Sequence, residues 1–245
     1  MGVIKSGRYH SLMIGFIGIF AFLSSCKDKD YPQATPDTNT NLNVINATAD
    51  TLNYYINGMR QNNASSLYPG GSTYYLNPIT GAQNYSFKKN GSAVVLFNTT
   101  YTLDTGKNVN YSIFIGGESN AKTFLTVDNL NQANQVVAAD ASNTTGALRF
   151  VHAAPGMGAL NVVVNKGDTI NLTNCSFKYV SPFMLVKDTV NEVKVYQTGS
   201  STPIVDTTFT FQSDVIYTLF AKGVVNGSGN AAFSVVLLNT GTVNQ

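Results

Sequence analysis

Hydrophobic and polar positions follow three distinct patterns along this chain. Leu12 to Leu23 is an apolar run of 12 residues, broken by Gly15 and Gly18. A helix crossing about 30 Å of hydrocarbon needs about 20 apolar residues. The run is too short for that and fits the centre of a signal peptide, with Lys5 and Arg8 as its positive flank. Residues 27–41, KDKDYPQATPDTNTN, are polar, contain two prolines and hold no apolar period, which predicts a flexible tether. Most of the remainder alternates. TTFTFQS places Thr208 and Thr210 against Phe209 and Phe211, and NEVKVYQ places Val193 and Val195 against Glu192 and Lys194. Period two is the signature of a strand with one wet face. AAFSVVLLN is apolar at nearly every position and reads as a central strand. Turn signals such as KNGS, TGSS, NKGD and NGSGN recur at strand-length intervals.

The pattern also repeats. LNVINA at 42–47 matches LRFVHA at 148–153, and LNYYIN at 52–57 matches LNVVVN at 160–165. NTTYTL at 98–103 matches DTTFTF at 206–211, and YSIFIGG at 111–117 matches YTLFAKG at 217–223. Leu42 to Leu148 and Tyr111 to Tyr217 are each 106 residues apart; Asn53 to Asn161 and Asn98 to Asp206 are each 108. Four segments that keep order and spacing indicate duplication. The expected architecture is all-β, with two tandem Ig-like β-sandwich domains following the signal peptide and tether. The expected boundaries are 1–25 for the signal peptide, 26–41 for the tether, 42–130 and 148–245 for the domains, and 131–147, rich in Asn, Gln and Ala, for a linker.

Composition narrows the partners. The chain has 15 basic and 13 acidic residues, and Lys5 and Arg8 leave with the leader, so the remainder is formally neutral. Nucleic acid needs clustered Lys and Arg to displace counterions, so it is excluded as a partner. The two cysteines are Cys26 and Cys175. With Cys26 used as described below, no intramolecular disulfide can form.

Leu23-Ser24-Ser25-Cys26 resembles the lipobox of bacterial lipoproteins. That resemblance implies cleavage before Cys26, acylation of its thiol and N-terminus, and anchoring by several chains, which hold a protein stably where one does not. Lys27, Asp28, Lys29 and Asp30 resemble the export tract of lipoproteins carried to the outer face of some Gram-negative outer membranes. The implied location is the outer membrane at the cell surface, with its periplasmic face as the alternative. VHAAP at 151–155, with the later YVSPF, resembles a family of secreted bacterial domains of unknown function, Ig-like or transthyretin-like and often in tandem. The first copy has INATAD where the second has VHAAPG, and so lacks both His152 and Pro155.

Candidate chemistry is sparse. His152 is the one histidine beyond the leader, and a zinc site wants three or four ligands. We therefore read His152, with Pro155, as a structural tie between a strand end and its loop. Glu118 and Glu192 are the only glutamates, and no carboxylate pair suited to glycoside hydrolysis stands out. No cofactor or metal is expected, and no catalysis. SLYPGGSTYYLNP at 66–78 concentrates Tyr68, Tyr74 and Tyr75 among Gly, Ser and Asn, a mix suited to adaptable recognition. Asp-Thr-apolar sequences at Thr51, Thr169 and Thr189, and a looser match at Thr207, resemble acceptors of an envelope O-glycosylation system. The reading is a lipid-anchored surface module binding a glycan, peptide or protein. A ligand-free envelope spacer is the alternative, and a hydrolase comes third.

Overall fold

The computed structural model describes residues 40–104, 109–165 and 170–243. The leader, Cys26, the tract Lys27 to Asp30, and Thr169 lie outside the described residues.

The chain is an all-β sandwich protein. Its first repeat holds β1 (Thr40–Asn46), β2 (Leu52–Ile56), β3 (Met59–Arg60), β4 (Gly81–Lys89), β5 (Val95–Leu103), β6 (Val109–Ile115) and β7 (Thr123–Asp128). A helix, α1 (Leu130–Ala138), follows. The second repeat holds β8 (Thr145–His152), β9 (Leu160–Asn165), β10 (Ile170–Cys175), β11 (Met184–Lys187), β12 (Val190–Gln197), β13 (Val205–Thr210), β14 (Val215–Lys222) and β15 (Ser234–Thr242). Each repeat forms two sheets of matching order: β3-β2-β4-β5 with β1-β6-β7, then β10-β9-β12-β13 with β11-β8-β14-β15.

The duplication is visible in the register. β1 pairs parallel with β6, Leu42 opposite Tyr111; β8 pairs parallel with β14, Leu148 opposite Tyr217. These are the residues that the 106-residue offset relates. In each copy that tyrosine's hydroxyl accepts a backbone N–H from the preceding turn, Asp104 for Tyr111 and Gln212 for Tyr217. The arrangement resembles the tyrosine corner of Greek-key sandwiches.

Each repeat closes a core between its own sheets. Val44, Ile113 and Phe87 lie in the first; Leu148, Leu219 and Val193 lie in the second. A third cluster joins the copies: Ile45, Phe114 and Phe124 from β1, β6 and β7 meet Val151 and Phe220 from β8 and β14. The sheets β1-β6-β7 and β11-β8-β14-β15 are therefore covered on both faces, and the four sheets stack in four layers. All eight residues of β8 and all eight of β14 are buried. This corrects the reading of AAFSVVLLN. That segment becomes β15, an edge strand, and it is apolar because its sheet is buried on both sides: Val235 and Leu237 face the second core, Val236 and Leu238 the seam.

The stretch expected as a linker, 131–147, holds most of α1. Asn129 caps α1 by accepting the Gln132 N–H at 3.0 Å, and Ala133 and Val137 bury against Ala147, Phe183 and Ile216. The helix thus covers the end of the β8–β14 face that the first repeat leaves open.

His152 is fully buried at the end of β8. Its Nδ1 accepts the Ala154 N–H at 3.3 Å, and its Nε2 lies 3.2 Å from the Gly158 carbonyl, to which that tautomer donates. Asn46, 106 residues earlier, does the same work in the first repeat. Its Oδ1 accepts the Thr48 N–H at 3.0 Å, and its Nδ2 donates to the Leu67 carbonyl at 2.9 Å. Burial lowers the His152 pKa below its usual 6.5, partly offset by the Gly158 bond. A depressed folded pKa makes this contribution complete above about pH 6.5 and lost as pH falls through the folded value. We expect His152→Asn to cost about 1–2 kcal/mol, from a void beside Phe177. It should also flatten the stability slope between pH 7 and pH 5 in urea titrations; an unchanged slope would mean that another group carries it.

Candidate functional site

Residues 66–78 do not form a loose loop. Leu67 bridges to Leu52 of β2, and 72–76 run antiparallel along the open edge of β1, where β11 runs beside β8 in the second repeat. Leu42 and Leu76 exchange backbone hydrogen bonds at 2.8 and 2.9 Å, the Thr73 N–H reaches the Val44 carbonyl at 3.0 Å, and Thr73 Oγ1 accepts the Val44 N–H at 2.9 Å. Gly70, at φ +79°, lets the chain pass against β14 and β15; a Cβ there would meet Val236 Cγ2 at 3.3 Å.

This pinned strap holds the tyrosines in different roles. Tyr68 and Tyr74 project, 64% and 66% exposed. Tyr74 sits at φ +57°, an uncommon backbone state for a bulky residue that the strap's hydrogen bonds hold in place. Tyr75 turns inward instead, and its hydroxyl donates to Asp128 Oδ2 at 2.5 Å. Burial pushes its phenol pKa up, the neighbouring Asp128 adding to the effect. Tyr75 is thus fixed by the framework through its hydroxyl, unlike the two projecting rings.

Beside Tyr68 and Tyr74 opens a cleft of about 360 Å³, lined also by Gln61, Asn63, Ser65 and Thr73. Its second wall is ordered by Asn62, which accepts the Tyr54 N–H and donates to the Leu52 carbonyl. Among the described residues no charged side chain lines the cleft. On the other side of Tyr74 lies a second cleft of about 290 Å³, lined by Asn43, Tyr74, Tyr75, Asn239, Thr240 and Gly241, again without charge.

Beneath it runs a buried polar network that crosses the seam. Arg149 on β8 pairs with Asp128 on β7 at 2.6 Å, both side chains at most 2% exposed. Ser112 and Thr126 donate to Asp128 as well, and Arg149 Nε donates to Thr218, which reaches Thr240. The Arg149 guanidinium also stands 5.2 Å from the Phe183 ring centroid. Burial opposes its charge, and Asp128 more than offsets this, raising its pKa. The network thus fixes the Tyr75 hydroxyl beneath the second cleft.

The other expected positions do not converge on the clefts. His152 and Pro155 are buried at the far end of β8. Pro155 borders a seam cleft of about 230 Å³. Its carboxylates, Asp50 and Glu118, are already bridged by Lys89 at 2.9 and 2.8 Å. Cys175 is buried, and burial pushes its thiol up to about 11, which leaves it a poor nucleophile. Thr51 and Thr207 are half-buried, Thr207 within β13, whereas Thr189 is exposed in the turn between β11 and β12. Among the described residues no group of three His, Cys, Asp or Glu is placed to hold a metal. Asn43, Gln61, Asn63 and Asn239 were missed at sequence level, since isolated Asn and Gln carry no spacing signal.

Residues 146–244 match a family model described as a domain of unknown function, DUF4397. No curated protein matches the chain. Among solved structures, CBMbc, a family CBM26 module of Eubacterium rectale Amy13K in complex with maltoheptaose, aligns over 80% of this chain and 95% of its own. The identity is 10% and the TM-score 0.26, a likeness too loose to bear on what this chain binds.

Proposed function

We propose that this protein binds a neutral glycan through the cleft of Tyr68 and Tyr74, as a non-catalytic module tethered to the outer membrane by lipid on Cys26 and displayed at the cell surface. The observation that carries the reading is the pairing of two projecting tyrosine rings with an uncharged, amide- and hydroxyl-lined cleft on a hydrogen-bonded strap. Aromatic faces suit the C–H faces of a pyranose, and the amides and hydroxyls suit its O–H groups. Phosphates and acidic polymers would find no cation among the described residues that line the cleft. A fixed strap reduces the ordering cost of binding. The anchor and its orientation rest on the lipobox-like and Lys-Asp sequences alone.

The test is calorimetric titration of the purified full-length protein with linear malto-, cello-, xylo- and manno-oligosaccharides. We expect one series to bind, and Tyr68→Ala and Tyr74→Ala each to weaken it about thirtyfold, the scale of a hot-spot tyrosine. Wild-type binding unaffected by either change would place the site elsewhere. Binding of proline-rich peptides alone, which also dock in aromatic-lined grooves, would replace the glycan.

A further inference from the structure

We infer that the ligand is an extended glycan chain that crosses Tyr74 and occupies the second cleft as well, so that the second repeat completes the binding site of the first. This rests on the glycan reading above.

Tyr74 lines both clefts and is their common wall. Each cleft alone is near or below the lower limit of small-molecule sites, roughly 300–1,000 Å³, whereas the two joined fall well inside that range. Among the described residues both linings lack charge and combine tyrosine rings with amides and hydroxyls, the first adding Leu67 and Leu76, so one chemical class suits the whole length. The far wall of the second cleft is shaped for the purpose. The pairing of β14 with β15 shifts between Ile216 and Tyr217: Ile216 faces Gly241 and Tyr217 faces Asn239, which leaves Thr240 as the extra residue of a β-bulge. Bulges re-aim side chains and cluster near binding sites. Here the Asn239 side chain accepts the Gly241 N–H at 3.0 Å and Thr240 Oγ1 donates to the Ile216 carbonyl at 3.0 Å. Asn239 is exposed at the mouth of the cleft. The Arg149–Asp128 network ties Thr240 to Tyr75, so floor and wall keep their spacing across the two repeats.

The test is a length series, from disaccharide to hexasaccharide or longer, of whichever glycan the full-length protein binds, on wild type, Gly241→Trp and Asn239→Ala. Gly241 has ordinary room for a side chain, its nearest neighbour being Ile216 Cδ1 at 3.9 Å from an added Cβ. Wild-type affinity should climb about tenfold between short and long chains. Gly241→Trp should remove that gain and leave the short chains unchanged, and Asn239→Ala should remove part of it. Long chains that bind Gly241→Trp as tightly as wild type, with Tyr68→Ala still weakening them, would confine the ligand to the first cleft: the inference fails and the glycan reading stands. If no glycan of any length binds wild type, both fail together.

Discussion

Asp128→Ala should destabilise the protein by about 3–5 kcal/mol, a drop of roughly 6–20 °C in Tm for a domain of this size. Asp128 is 2% exposed and accepts from Tyr75, Ser112, Thr126 and Arg149. Removing it leaves a guanidinium buried without its counter-charge and the Tyr75 and Ser112 hydroxyls without their acceptor, while Thr126 keeps the Ser112 carbonyl, a larger penalty than the loss of any one bond. Arg149→Met should cost less than Asp128→Ala, because it leaves the carboxylate with three donors and puts an apolar stem beside Phe183. Urea unfolding of the three proteins measures this. A change below 1 kcal/mol for Asp128→Ala would mean that water reaches the pair and that the seam is not closed.

Phe220→Ala should cost about 3–5 kcal/mol, the usual range for a fully buried aromatic truncated to a methyl. The Phe220 ring lies 6.0 Å from Phe114 across the seam, edge to face, and Phe114 stacks on Phe124 at 5.4 Å. The cavity would open between the repeats, so its effect should reach both. Scanning calorimetry should show one transition for wild type and one, shifted down, for the variant. Two transitions with only one displaced would show that the repeats unfold independently despite the shared cluster.

How much of this was legible beforehand varies with the kind of signal. Alternation reported faces well: Val193 and Val195 are buried, and the neighbouring Lys194 pairs with Glu192 at 2.9 Å on the outside. The duplication was legible because pairing preserved it, Leu42 with Tyr111 and Leu148 with Tyr217. The seam was not. Arg149 is a single charge in the apolar segment LRFVHA, and its partner Asp128 lies 21 residues away in another sheet, which no local period records. The same two-sided burial made β15 look central. Helix α1 was hidden by brevity: Leu130, Ala133 and Val137 keep helical spacing, but over only nine residues among Asn and Gln. At the candidate site, composition pointed to the tyrosines and not to their orientation. Tyr74 projects from a left-handed backbone at φ +57° and Tyr75 turns in to Asp128, 53 residues away, and no local pattern records either.

The central claim is that Tyr68 and Tyr74 form the binding platform. With no tryptophan and 13 tyrosines in the chain, ring-labelled tyrosine is the direct reporter. NMR of the full-length protein, titrated with the oligosaccharide that binds, should shift the Tyr68 and Tyr74 signals to saturation and leave buried rings such as Tyr54 and Tyr85 in place. Saturable binding that leaves Tyr68 and Tyr74 unmoved would contradict the account.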